Sequence, residues 1–126
     1  MTARQLADRI TQLALEKKGK DITLMDLQGL SDVADFFVVV SGESDVHVKT
    51  IGGHIENELA REGIKVWKRE GYQHLRWVLL DYVEVVVHIF RPESRTYYDI
   101  ERLWADAKTT LVKDDAENRI LSSNTD

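Results

Sequence analysis

The stretch Trp77-Val-Leu-Leu-Asp-Tyr-Val-Glu-Val-Val-Val-His-Ile-Phe90 constrains this chain more than any other. Its density of β-branched and aromatic residues belongs in a sheet, and the polar pair Asp81 and Glu84 interrupts it near the middle. The pattern predicts two antiparallel strands, over 75–81 and 84–90, closed by a tight turn. Because side chains alternate across a sheet, Trp77, Leu79 and Asp81 share one face while Val78 and Leu80 share the other. Both faces are largely apolar. Helices of a small domain cover one face and leave the other incompletely covered, which makes Trp77 a candidate exposed anchor; ordinary core placement fits its strand position equally well.

A chain of 126 residues with 43% apolar content fits one domain with a real core. It shows no apolar run able to span a bilayer and no signal-peptide pattern, and a helix starting at Thr2 leaves no room for a transit peptide, so the expectation is a cytoplasmic protein without membrane contact. With no cysteine, disulfides, thiol chemistry and Cys-ligated zinc are excluded. A formal net charge of −5 argues against direct, non-specific nucleic-acid binding, which draws on lysines and arginines, and suits a basic protein partner instead; no direct sequence-specific nucleic-acid partner is expected.

Taken in order, Thr2-Ala-Arg-Gln5 has capping-box spacing ahead of a helix with Leu6, Ile10 and Leu13 on one stripe, ending near Lys17, Lys18 and Gly19. A short strand over 21–26 leads to a turn at Gln28-Gly29, and the apolar run 36–41 predicts a central strand buried on both faces. After Gly42, Ser44 or Asp45 caps a second helix carrying Val48, Ile51, Ile55 and Leu59. Gly52-Gly53 inside it costs about 2 kcal/mol in propensity, which close packing on the sheet explains better than the approach of another backbone. The alternation in 64–69 predicts a half-exposed strand, Pro92 opens a short helix, and Asp99 caps a last helix with Ile100, Leu103, Trp104, Ala107 and Leu111 on one stripe. The whole predicts an α/β domain bordering on α+β over 1–112, with a mixed sheet of about five strands flanked by helices, followed by a polar, weakly ordered tail over 113–126 where Ile120 and Leu121 are able to dock locally.

Ser41-Gly42 before Ser44-Asp45 at a helix start is a possible anion site, and the same strand, turn and helix occur in nucleotidyltransferases. Those enzymes need alternating carboxylates on the next strand, where this chain has Lys65 and Lys68. His47 and His54, seven apart, lack a third metal ligand, and His88 reads as a satisfied core residue ahead of an interface one. Asp81 and Glu84 read as solvated hairpin residues rather than an acid/base pair. No catalytic residue, cofactor or metal is expected.

The pieces Lys17-Lys-Gly-Lys-Asp-Ile22, Asp26-Leu-Gln-Gly-Leu-Ser31, Ala34-Asp-Phe-Phe-Val-Val-Val-Ser-Gly42, Ser44-Asp-Val-His-Val48, Trp77-Val-Leu-Leu-Asp-Tyr82, Val85-Val-Val-His-Ile-Phe90 and Tyr98-Asp-Ile-Glu-Arg-Leu-Trp104 occur together and in order. In this the chain resembles the ribosomal silencing factors, the Iojap or RsfS family. The resemblance implies a nucleotidyltransferase-like fold without the catalytic carboxylates, binding to the large ribosomal subunit through ribosomal protein fourteen at the subunit interface, steric obstruction of subunit joining, and lower translation when nutrients are scarce. It also implies a homodimer. By position it puts the partner surface at Trp77, Leu79, Asp81 and Tyr82, with His88, Glu93, Arg95 and Tyr98 at further matching positions. Val83 stands where relatives often have glycine, so the hairpin turn is expected to depart from theirs.

Overall fold

Thr2 opens the first helix as its spacing predicts: its Oγ1 accepts from the Gln5 amide at 3.1 Å while its own amide donates to Gln5 Oε1 at 2.9 Å. This is the start of α1 (Ala3–Glu16) in a computed structural model that describes residues 1–113. It is followed by β1 (Lys20–Asp26), β2 (Phe36–Ser41), α2 (Asp45–Arg61), β3 (Lys68–Glu70), β4 (Trp77–Asp81), β5 (Val85–Phe90), α3 (Pro92–Tyr98), α4 (Ile100–Leu103) and β6 (Lys108–Leu111). The tail expected over 113–126, with Ile120 and Leu121, lies outside the described residues except for Lys113.

Among the described residues six strands run β3-β4-β5-β2-β1-β6, and of these only β2 and β5 pair in parallel. A mixed sheet of this kind, with the helices outside it, is an α+β arrangement. The apolar run of β2 lies at the centre, as its composition predicts. Both long helices pack on one face, where Ile10, Leu13, Ile51, Ile55 and Leu59 meet Val38, Val40, Val78, Leu80, Val87 and Ile89. The opposite face is covered only in part. Met25, Leu27, Val39, Phe90, Ile100 and Ala107 form a second, smaller core there, edged by half-buried Phe37, Trp77 and Trp104.

Two expected elements differ. The helix expected through Leu111 stops at Leu103, and the chain returns as β6 to pair antiparallel with β1. The stripe of Ile100, Leu103, Trp104, Ala107 and Leu111 fits helical spacing, but Leu103 and Leu111 stay 76% and 58% exposed, so no burial rewards a longer helix. Pairing Lys108–Leu111 instead satisfies the backbone groups along the outer edge of β1. The strand expected over 64–69 shortens to Lys68–Glu70, because Ile64 and Val66 turn inward against the main core while Trp67 is left 64% exposed. Nor does Asp99 cap a helix with its side chain: it sits in the left-handed region at φ 47° and joins two short helices.

The two glycines of α2 have separate explanations. A Cβ at Gly52 would stand 2.5 Å from the Tyr72 hydroxyl oxygen and 3.4 Å from Ile89 Cδ1, so the helix gives way here to a tyrosine side chain, not to another backbone. Gly53 faces open space.

Candidate partner-binding face

The hairpin β4–β5 turns on a strained residue. Val83 has φ 74°, which a β-branched side chain adopts only at a cost of about 1–3 kcal/mol. Three hydrogen bonds hold it: Tyr82 N–H to the Val85 carbonyl at 2.9 Å, Glu84 N–H to the Tyr82 carbonyl at 3.0 Å, and Val83 N–H to Asp81 Oδ1 at 2.8 Å. Asp81 thus stabilises the turn in addition to edging the face. The Glu84 carbonyl accepts from the Asp35 and Phe36 amides, which locks the hairpin end to the start of β2.

Along β4 the burial alternates as the sequence predicts, with Val78 and Leu80 in the main core and Trp77, Leu79 and Asp81 half-buried on the other face. Register places Trp77 opposite Phe90, Leu79 opposite His88 and Asp81 opposite Val86. The Trp77 ring stacks on Phe90 with centroids 4.9 Å apart and meets Tyr98 of α3 at 4.7 Å. Its Nε1–H donates to His88 Nδ1 at 3.1 Å. An indole nitrogen only donates, so Nδ1 must be unprotonated and the neutral imidazole carries its proton on Nε2, which has no partner among the described residues. Burial pushes the His88 pKa down to about 4 and keeps the ring neutral near pH 7.

Phe37 packs edge-on to His88 at 4.5 Å and Trp104 packs edge-on to Phe37 at 6.1 Å. These two extend the face beyond the residues picked out from the sequence. Phe37 is the one residue of β2 that is not fully buried, against the expectation of a run buried on both faces, and its place beside His88 depends on the parallel register with β5.

Of the eight candidate residues, Trp77, Leu79, Asp81 and Tyr98 lie on or beside this face, and Glu93 is exposed on α3. His88 lies beneath the surface at 5% exposure. Tyr82, at 7% exposure, sits in the main core on the helical side, two residues beyond Leu80 on the same alternation, and so does not share the Trp77 face. Arg95 is a brace. Its guanidinium reaches Glu101 at 2.8 and 3.2 Å, Ser41 Oγ at 2.9 Å and Thr23 Oγ1 at 3.1 Å, pinning α3 across the middle of β1 and the end of β2.

That brace also bears on the possible anion site at Ser41–Asp45. Ser41 Oγ is engaged by Arg95, Ser44 Oγ accepts from the His47 amide as the cap of α2, and Asp45 is paired with Arg91 at 2.8 Å. The next strand in sequence, β3, offers Lys68, Arg69 and a single carboxylate, Glu70, and lies at the sheet edge with β4 and β5 between it and β2. His47 and His54 are also engaged locally: His47 Nδ1 accepts from the Glu43 amide at 2.9 Å and its Nε2 reaches the Lys17 carbonyl at 2.8 Å, while His54 Nε2 reaches Glu16 at 2.8 Å. Among the described residues no group of three or more His, Cys, Asp or Glu is placed to hold a metal ion. No helix among them is long and apolar enough to cross a membrane.

A family model described as ribosomal silencing factor during starvation matches residues 1–126. The chain belongs to the ribosomal silencing factor family. Among relatives, the RsfS protein of Bacillus subtilis is 44% identical over 92 residues, covering 73% of this chain and 78% of its own. That of Halalkalibacterium halodurans is 35% identical over 113 residues, covering 90% and 97%. The chloroplastic Iojap protein of maize is 28% identical, over 78% of this chain and 42% of its own. A crystal structure of a Chromobacterium violaceum protein superposes with a TM-score of 0.81 at 31% identity, covering 90% of this chain and 95% of that one. One from Bacillus halodurans gives 0.76 at 31% identity, covering 86% and 99%. The mixed sheet described above is therefore one shared with solved proteins related in sequence, and the silencing-factor family places this chain among regulators of the ribosome.

Proposed function

We propose that this silencing factor acts by occupation: its β4–β5 face binds large-subunit ribosomal protein fourteen, and the bound domain obstructs joining of the small subunit, lowering translation when nutrients are scarce. No bond is made or broken in this reading, and the site of action is the cytoplasm. Family membership supports the ribosomal role. The observation that carries the choice of face is Trp77, a half-buried indole held rigid by Phe90, Tyr98 and His88 on the side of the sheet the long helices leave open. A pre-ordered aromatic loses little side-chain entropy on binding, which is the property of an interface anchor. Tyr98 packs on it, Leu79 and Asp81 continue the same face along β4, Glu93 is exposed on α3, and the acidic residues suit a basic ribosomal protein.

An anchor of this kind contributes about 2 kcal/mol or more, so Trp77→Ala is expected to weaken binding to large subunits by at least roughly thirtyfold. Titration of the folded variant, with circular dichroism as control, tests this; an unchanged affinity removes Trp77 from the interface. The family resemblance also supports a homodimer. Sizing over a dilution series, with and without the ribosomal protein, tests whether the two associations compete.

A further inference from the structure

The turn between α1 and β1 carries Lys17 and Lys18, and Lys20 opens β1; all three are exposed and line a cavity of about 280 Å³ with Glu43, Ser44 and His47. Among the described residues none of the three is paired with a carboxylate, whereas Arg4, Arg9, Arg61, Arg69, Arg91 and Arg95 all are. In a chain of net charge −5, three free ammonium groups around one hollow, facing a single carboxylate, form a local positive spot.

The backbone holds them there. Lys18 N–H donates to the Leu15 carbonyl and Gly19 N–H to the Ala14 carbonyl, both at 2.9 Å, which is the double bond of a Schellman helix end. Glycine usually fills its left-handed position, yet here that residue is Lys18, at φ 60°. Gly19 serves a different need one residue later, since a Cβ there would stand 2.6 Å from Val40 Cγ2. His47 then clamps the turn through the Lys17 carbonyl at 2.8 Å.

The position matters as much as the charge. Lys20 is in register with Ser41, Ser41 with Phe90, and Phe90 with Trp77, so one row across the sheet joins the lysine turn to the proposed anchor. Three strand spacings are roughly 15 Å. A body docked on Trp77 would bring whatever flanks it against these lysines, and what flanks a ribosomal protein is the phosphate backbone of ribosomal RNA.

We propose that Lys17, Lys18 and Lys20 form a second contact that seats on ribosomal RNA phosphates beside the protein engaged by Trp77; this rests on the silencing function proposed above. The test compares the full chain with its Lys17→Ala, Lys18→Ala, Lys20→Ala triple variant. Each is titrated over a range of salt against purified large subunits and against isolated large-subunit ribosomal protein fourteen. For subunits, the variant is expected to bind at least roughly tenfold more weakly, with the slope of log affinity against log salt reduced by about two to three, as for three lost phosphate contacts. For the isolated ribosomal protein, affinity is expected to be unchanged. Equal losses on both targets would assign the lysines to a protein contact and overturn the proposal, as would no loss on either. If the unmodified chain bound no subunits, the silencing reading itself would fall. Duplex RNA of about 20 base pairs at low salt would then decide the lysine site: binding lost in the triple variant supports it, and absence of binding rejects it.

Discussion

Trp77 and His88, on adjacent strands, are joined by an indole-to-imidazole hydrogen bond of 3.1 Å that fixes the imidazole tautomer and the tilt of the indole together. The bond requires a neutral histidine. Protonation would put a second donor where Trp77 Nε1–H needs an acceptor, so the face is built for pH values above the His88 pKa of about 4.

The unfolded chain binds a proton at this histidine near pH 6.5, whereas the folded chain resists doing so until about pH 4. Between those values the unfolded state carries more protons, so stability falls as pH drops through that window, by about 3 kcal/mol in all. His88→Gln keeps an acceptor for Trp77 without a titrating group. Denaturant midpoints measured from pH 7 to pH 4 are expected to decline less steeply for this variant than for the parent chain, and parallel declines would contradict the assignment.

Val83 holds a positive φ at the hairpin tip while 55% exposed, so little burial is lost by trimming it. Val83→Gly removes strain at a modest cost in unfolded-chain entropy, and the expected net gain is about 1 kcal/mol. Asp81→Ala, which strips the acceptor from the Val83 amide, is expected to lose about 1 kcal/mol. Urea unfolding of both variants reads these shifts.

The paired glycines of α2 are expected to part company. Gly53→Ala meets open space and gains helix propensity, so it should stabilise by up to about 1 kcal/mol. Gly52→Ala drives a methyl into Tyr72 and disturbs its bond to Glu56, an overpacking expected to cost about 1–3 kcal/mol. Thermal unfolding of the two variants side by side gives shifts of opposite sign.

Arg95 is mostly buried and carries four hydrogen bonds, so its loss loosens α3 and with it Tyr98, the ring against Trp77. Arg95→Ala leaves partly exposed Glu101 without its cation and is expected to cost about 2–3 kcal/mol. Arg95→Lys should not restore this, because an ammonium cannot reproduce the planar fork. Unfolding midpoints measure the first effect, and subunit affinity of the folded fraction measures the second.

The parts of the fold legible in the sequence are those whose causes are local. Thr2 and Gln5 form their capping box within one turn, Ser44 caps α2, Phe36–Ser41 matches β2, and the alternation of Trp77, Leu79 and Asp81 survives because a strand has no other way to place neighbours. What was not legible depends on distant partners. Lys108–Leu111 becomes a strand because β1 presents an unpaired edge, a demand nothing in 100–111 announces. Phe37 and Trp104 join the aromatic face through a register between strands some fifty residues apart. Tyr82, placed with the partner face by the family resemblance, lies two residues beyond Leu80 and falls on the helical side with Val78 and Leu80, a placement that the strand alternation itself contains.

Because β6 covers the outer rim of β1, shortening the chain to Ala107 would do more than remove a terminus. It would bare the row of amides and carbonyls along Thr23–Asp26, an invitation to cross-pairing between molecules. A trimmed version made for crystallography or display is therefore better ended after Val112, whose amide closes the ladder on the Ile22 carbonyl at 2.8 Å, than at the last helical turn.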